Sequence, residues 1–241
     1  MDKIARIHPV LEIIRNSPKR IHKIMLQRDM KKFPFKEILS TAKKENIPVI
    51  WAPKKRMDWE DSHHQGVVAF VSSKEFTSLD SLLSSSEFPF LLLLDQIEDP
   101  QNLGALVRTA EGAGVDGIIL PERHSAGLTQ AVHTVSAGAL EHMSITRVKN
   151  LARTMDELKK KEIWLIGAEE GGEKFWYEFD YNVPVGIVIG SEGKGLRRII
   201  KEKCDEILSI PLGGEIHSLN VASAASVFLF EVVRQRKKEI G

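Results

Sequence analysis

From Phe88 to the end, the chain alternates short apolar runs with amphipathic helical stretches, and that alternation leaves few architectures open. Extended runs fall at residues 90–95, 117–120, 143–147, 163–167, 185–190 and 207–211. Helical spacing of apolar residues falls between them, at about 103–113, 128–136, 151–161, 196–203 and 219–238. Strands joined by crossover helices give an α/β fold with a mostly parallel sheet covered on both faces. On such a sheet, ligands bind outside the carboxyl ends of the strands.

The first 72 residues form a separate, smaller α/β pattern. Helices are expected at 8–15 and 35–45, and strands at 20–26, 48–51 and 67–71. Residues 72–87 hold seven serines, one threonine and no glycine, with Leu79, Leu82 and Leu83 at helical spacing. The expected organisation is therefore an N-terminal domain at 1–72, a linker with a short helix at 73–87, and a second domain at 88–241. Charge divides the same way. Residues 1–72 carry 15 Lys and Arg against 8 Asp and Glu, a balance of +7, while the rest carries 19 against 25. A basic module on an acidic one suits a polyanionic partner, though a solvated lysine-rich surface would look the same.

Composition closes several other routes. Cys204 is the only cysteine, so a disulfide framework, a cysteine zinc site and a CxxC redox pair are excluded. No apolar run approaches the roughly 18 residues of a membrane span, and no apolar segment follows the N-terminus as in a signal peptide. A cytoplasmic protein without a membrane partner is expected.

Three strand ends open into loops rich in glycine and polar residues. The first runs from Asp95 to Asn102, where Asn102 can cap the following helix; that helix carries Arg108 among Leu, Val and Ala. Such an arginine can also simply pair with Glu111 one turn on. The second is Gly190-Ser-Glu-Gly-Lys-Gly195, whose glycines let backbone approach a ligand. It lacks the P-loop spacing, and no strand is followed by Gly-x-Gly-x-x-Gly, so nucleotide-phosphate and dinucleotide sites are disfavoured. The third runs from Ile210 to Asn220, and Ser218 or Asn220 can cap the last helix. His217 and the pair His63–His64 read as loop or core histidines, and no metal-ligand cluster stands out.

In order and spacing, these loops resemble the SpoU (TrmH-like) family of RNA ribose 2′-O-methyltransferases in the SPOUT superfamily. The resemblance rests on Asn102-Leu-Gly-Ala-Leu-Val-Arg-Thr-Ala110, Ile189-Gly-Ser-Glu-Gly-Lys-Gly-Leu196 and Ile210-Pro-Leu-Gly-Gly-Glu-Ile-His-Ser-Leu-Asn-Val-Ala222. The N-terminal residues Ile7-His-Pro-Val-Leu-Glu12 and His64-Gln-Gly-Val-Val-Ala69 are similar to the substrate-binding module of the 23S rRNA guanosine 2′-O-methyltransferase subgroup. That module resembles ribosomal protein L30e, an RNA binder.

The resemblance implies a C-terminal trefoil knot in the sheet domain, preceded by a small L30e-like α/β domain. It also implies S-adenosylmethionine as methyl donor, held by backbone at Gly190, Ile210 and Leu219, and no metal. Asn102, Arg108, Glu192, Ser218 and Asn220 match the family's active-site polar residues, with Arg108 acting on the ribose 2′-OH. An arginine has a pKa above about 12, so phosphate positioning and charge stabilisation come first and proton removal second. The expected substrate is a guanosine ribose in 23S rRNA, free or in an assembling large subunit. The expected assembly is a homodimer packed through the knot region. Alternatives are a tRNA guanosine enzyme, a resistance-type rRNA enzyme, or a non-catalytic RNA-binding ribosome-assembly factor.

Overall fold

The computed structural model describes residues 2–28, 35–215 and 218–237. In chain order, the first elements are β1 (Asp2–Ala5), α1 (Ile7–Asn16), β2 (Ile21–Gln27), α2 (Phe35–Lys44), β3 (Val49–Ala52), α3 (Lys54–Asp58) and β4 (Val67–Val71). Next come α4 (Leu79–Leu83), β5 (Phe90–Leu94), α5 (Pro100–Ala113), β6 (Gly117–Pro121), α6 (Gln130–Val135), β7 (Ser144–Val148) and α7 (Leu151–Lys159). The chain ends with β8 (Trp164–Ala168), β9 (Lys174–Phe175), β10 (Val185–Ile189), α8 (Arg198–Lys201), β11 (Glu206–Ser209) and α9 (Val221–Lys237). None of the described helices is long and apolar enough to cross a membrane.

The elements form two compact units. In the first, a four-stranded mixed sheet has the order β1-β4-β2-β3. β4 runs antiparallel to both β1 and β2, and β3 is parallel to β2. β1 was not expected from sequence: four residues at the start of a chain show too little alternation to register. Ile13 and Ile14 of α1 and Ile38 and Ala42 of α2 pack on Ile4, Ile24 and Val67, burying one sheet face.

Residues 127–142 also belong to this first unit, whereas the sequence-derived boundaries put them in the second domain. Polar pairing explains the difference. Gln130 Nε2 donates to Asp61 Oδ2 at 2.7 Å, Arg20 Nη1 meets Glu141 Oε2 at 2.6 Å, and His142 Nε2 lies 2.8 Å from Glu12 Oε2. Partners separated by some 70 to 130 positions leave no local signature.

The second unit is built on a seven-stranded sheet of order β7-β6-β5-β10-β8-β11-β9, in which every described pairing is parallel. β5, β6 and β10 are buried at every residue, as central strands between two helical layers must be. Leu91, Leu93, Ile119, Leu165 and Val188 pack on one side with Leu151, Met155 and Leu158 of α7. Helix α5 is capped by Asp99, whose side chain accepts from Gln101 N, with Pro100 at the first helical position. The cap is therefore Asp99 and not Asn102, which stands inside the first turn. The expected linker helix forms as α4.

Candidate active site

The carboxyl ends of β5, β8, β10 and β11 meet the three polar loops, and two carboxylates, one buried and one partly exposed, tie the loops together. Asp95 directly follows β5 and is fully buried. Its Oδ1 lies 2.7 Å from Arg197 Nη2, and its Oδ2 accepts from Arg197 N at 3.0 Å. The end of the first loop's strand is thereby fastened to the end of the second loop. Glu169, just after β8, accepts from Leu196 N at 3.0 Å through Oε2 and anchors the second loop from its other side. Sequence reading did not single out Asp95, Glu169 or Arg197. The available signal was a carboxylate standing just past each of two apolar strands.

The second loop closes on itself. Ser191 and Gly195 exchange both backbone hydrogen bonds, at 3.1 and 2.9 Å. Gly195 holds a φ of +65°, in the left-handed region that favours glycine. A Cβ on Gly190 would lie 2.2 Å from the carbonyl carbon of Gly195 and 2.4 Å from Leu196 N. No side chain fits there, so glycine at 190 is a condition of the loop's shape.

Across the loops runs a hydrogen-bonded chain. Asn102 Nδ2 donates to Glu192 Oε2 at 2.8 Å, and Asn220 Nδ2 donates to Asn102 Oδ1 at 3.0 Å. Asn220 Oδ1 accepts from Ala222 N at 2.9 Å, capping α9. Each amide orientation is forced by an end of the chain: an ionised carboxylate only accepts, and a backbone N–H only donates. Freed from capping α5, Asn102 becomes the centre of this relay.

Beside the relay is a cavity of about 590 Å³. Gly190, Glu192, Ile210, Ser218 and Leu219, all expected from sequence, line it. Phe228, Glu169 and Glu170 complete its apolar and acidic walls. Asn102 and Asn220 join this group through Glu192. Arg108 is the expected residue that neither lines the cavity nor joins the relay. It lies six residues beyond Asn102 on α5, about 9 Å along the axis, and is exposed. The pairing with Glu111 does not form: among the described residues Arg108 makes no ion pair or side-chain hydrogen bond, so its guanidinium is open to an incoming anion.

Other groups named from sequence fall elsewhere. His217 lies outside the described residues. His64 is buried in the first unit, where Nδ1 accepts from Gly66 N at 2.7 Å and Nε2 lies 3.1 Å from Asp58. Cys204 does not line the cavity, and burial pushes its thiol up to about 12. No group of His, Cys, Asp or Glu able to hold a metal occurs among the described residues.

Residues 89–230 match the SpoU rRNA Methylase family, and residues 7–77 match the RNA 2′-O ribose methyltransferase substrate-binding family. YacO of Bacillus subtilis, assigned to the TrmH family of tRNA/rRNA methyltransferases, is 39% identical over 240 residues, covering 98% of this chain and 96% of that one. A Staphylococcus saprophyticus relative assigned to the same family is 42% identical over 234 residues, covering 95% of this chain and 94% of the other. The SpoU methyltransferase AviRb from Streptomyces viridochromogenes, solved in complex with AdoMet, superposes with a TM-score of 0.84 at 27% identity, covering 98% of this chain and 90% of that one. The chain belongs to the SpoU rRNA methylase family of RNA methyltransferases.

Proposed function

We propose that this chain transfers a methyl group from S-adenosylmethionine to the 2′-OH of a guanosine ribose in 23S rRNA. The observation that carries the reading is the relay Glu192–Asn102–Asn220 beside a cavity of about 590 Å³ at the strand ends. The cavity fits the donor on chemical grounds. Ile210, Leu219 and Phe228 offer apolar wall to an adenine, and Glu169, Glu170 and Glu192 offer negative charge to a cation. No thiolate stands where an electrophilic methyl group would be consumed. Gly190, Ile210 and Leu219 would hold the donor through backbone, whose N–H and C=O groups can read an adenine edge.

When bound, the donor supplies a methyl group on a sulfonium, and the chain's own residues handle the RNA. Arg108 binds a phosphate flanking the target ribose and stabilises negative charge developing on the 2′-oxygen. In its secondary role it takes up the 2′-OH proton, which requires the guanidinium first to pass one of its own protons to solvent. Asn102, held by Glu192 and Asn220, keeps the first and third loops in register with the second, and Ser218 contacts the substrate at the cavity wall. Residues 1–72 bring the RNA to this site. We also place the enzyme in the cytoplasm as a homodimer, with a trefoil knot in the C-terminal part of the sheet domain.

A tRNA target is the second reading, favoured by relatives assigned as tRNA/rRNA methyltransferases. Methyl transfer from labelled S-adenosylmethionine to unmodified 23S rRNA, 16S rRNA and tRNA in parallel decides between them. Labelling of 23S rRNA alone is expected; labelling of tRNA alone keeps the chemistry and replaces the substrate. RNA binding with no transfer to any substrate, ribosomal particles included, would leave an assembly factor.

A further inference from the structure

We propose that the lightly covered face of the small sheet, centred on Trp59, is a stacking surface for an unpaired nucleotide of the RNA; this rests on the RNA-modifying reading above. The two faces of that sheet are unequal. One is packed by α1 and α2, while the other carries Met25, Ala52, Val68 and Phe70 under the five-residue α3, which reaches them through Met57. Side chains alternate along a strand, so Lys3, Lys23 and Ile50 stand on the same side as Ala5, Met25 and Ala52. The contacts agree: Lys23 Nζ sits 4.4 Å from the centre of the Phe70 ring, and Lys3 Nζ lies 2.7 Å from Glu60, just past α3.

On this face Trp59 is 72% exposed, the most exposed large apolar side chain among the described residues, and Ile50 is 42% exposed. The Arg56 guanidinium lies 5.6 Å from the centre of the indole, near enough to be drawn to its π-face. The neighbouring carboxylates are already engaged. Glu60 is held by Lys3 and by Arg56 at 3.2 Å, and Asp58 faces His64. Lys54 and Lys55 are exposed and make no ion pair among the described residues. An indole left in water beside uncompensated cations suits an unpaired base, which offers a π-face with a phosphate on either side. The excess of 15 basic over 8 acidic residues in positions 1–72 favours RNA over a protein partner here.

The test compares full-length wild type with Trp59→Ala, Trp59→Phe and the Lys54→Ala/Lys55→Ala double variant. Affinity for an unmodified 23S rRNA transcript is read by filter binding over a range of salt, and S-adenosylmethionine affinity and melting are read in parallel. Trp59→Ala is expected to weaken transcript binding about tenfold. Trp59→Phe, which keeps an aromatic face, should restore most of the loss. The double lysine variant should flatten the slope of log affinity against log salt by about 1.4. Donor affinity and melting should not move in any of them. Wild-type transcript affinity in Trp59→Ala, or a Trp59→Phe variant as weak as Trp59→Ala, overturns the proposal. Binding is measured apart from catalysis, so a chain that binds the transcript yet methylates nothing overturns the transferase reading alone, and the Trp59 comparison still decides the surface.

Discussion

In the C-terminal unit β5, β6 and β10 are buried along their whole length and carry no charged residue, and the fully buried Asp95 stands just past the end of β5. In the N-terminal unit charge runs through the packing itself. Glu141, its side chain 1% exposed, pairs with Arg20 and lies 3.4 Å from the equally buried His133. The difference follows from what covers each sheet. A parallel sheet between two helical layers has no wet face, so polar chemistry is displaced to the loops at its carboxyl ends. A small mixed sheet with one thinly covered face leaves cations on a surface, and its added segment 127–142 is joined by the Arg20–Glu141 ion pair and by hydrogen bonds. Damage to the buried ion pair of the first unit should therefore register as stability, and damage to the strand-end loops of the second as catalysis.

The largest effect expected of that division is on the transfer rate. Arg108→Ala should lower kcat by about 100- to 1000-fold, with donor affinity and melting temperature unchanged, because the side chain is exposed and holds nothing else. A near-normal rate would break the assignment of chemistry to these strand ends. In the other unit, Arg20→Met leaves the Glu141 carboxylate buried without its cation. It should cost about 3 kcal/mol in urea unfolding, while Arg20→Met/Glu141→Leu recovers most of the loss. If the single variant instead lowers donor affinity, the two units are not separable in this way.

Titration sharpens the same contrast. Burial pushes His133 down from 6.5 to about 4, against the opposing pull of Glu141 and Asp2 and with help from Arg20 and Lys74. Between these values the unfolded chain binds a proton that the folded chain does not, so stability falls as pH drops from about 6.5 toward 4. The loss amounts to at most about 3 kcal/mol. His133→Gln should flatten this slope when unfolding free energy is measured at several pH values; an unchanged slope would place the titration elsewhere. The smallest effect is expected from Asn102→Ala, which removes the hydrogen bond to the Glu192 carboxylate and the one accepted from Asn220. A loss of about tenfold in kcat is expected in steady-state assays, and an unaltered kcat would mean that the relay does not position the loops.

The sheet domain and its three loops were legible because their signals are local: apolar runs of strand length, glycines beside Glu192, and Asn102 and Asn220 at helix starts. The same reading assigned Asn102 the wrong task. Asp99-Pro100 carries the stronger cap signature, an acceptor side chain followed by a residue that needs no N–H partner. Arg197 with Asp95, and Glu169 with Leu196, were not legible, since each bond joins loops that only the sheet order brings together. The membership of residues 127–142 escaped for the same reason. The strands β1 and β9 were missed because neither holds an apolar run: Asp2-Lys-Ile-Ala5 is half charged, and Lys174–Phe175 is only two residues long.

The most direct test of the account is where the methyl group goes. Labelled RNA from the transfer reaction would be hydrolysed in alkali, where a 2′-O-methyl removes the internal nucleophile and leaves a gap in the cleavage ladder. The account predicts label confined to one alkali-resistant guanosine, absent from the Arg108→Ala reaction. Label on a base, with the ladder unbroken, would contradict it.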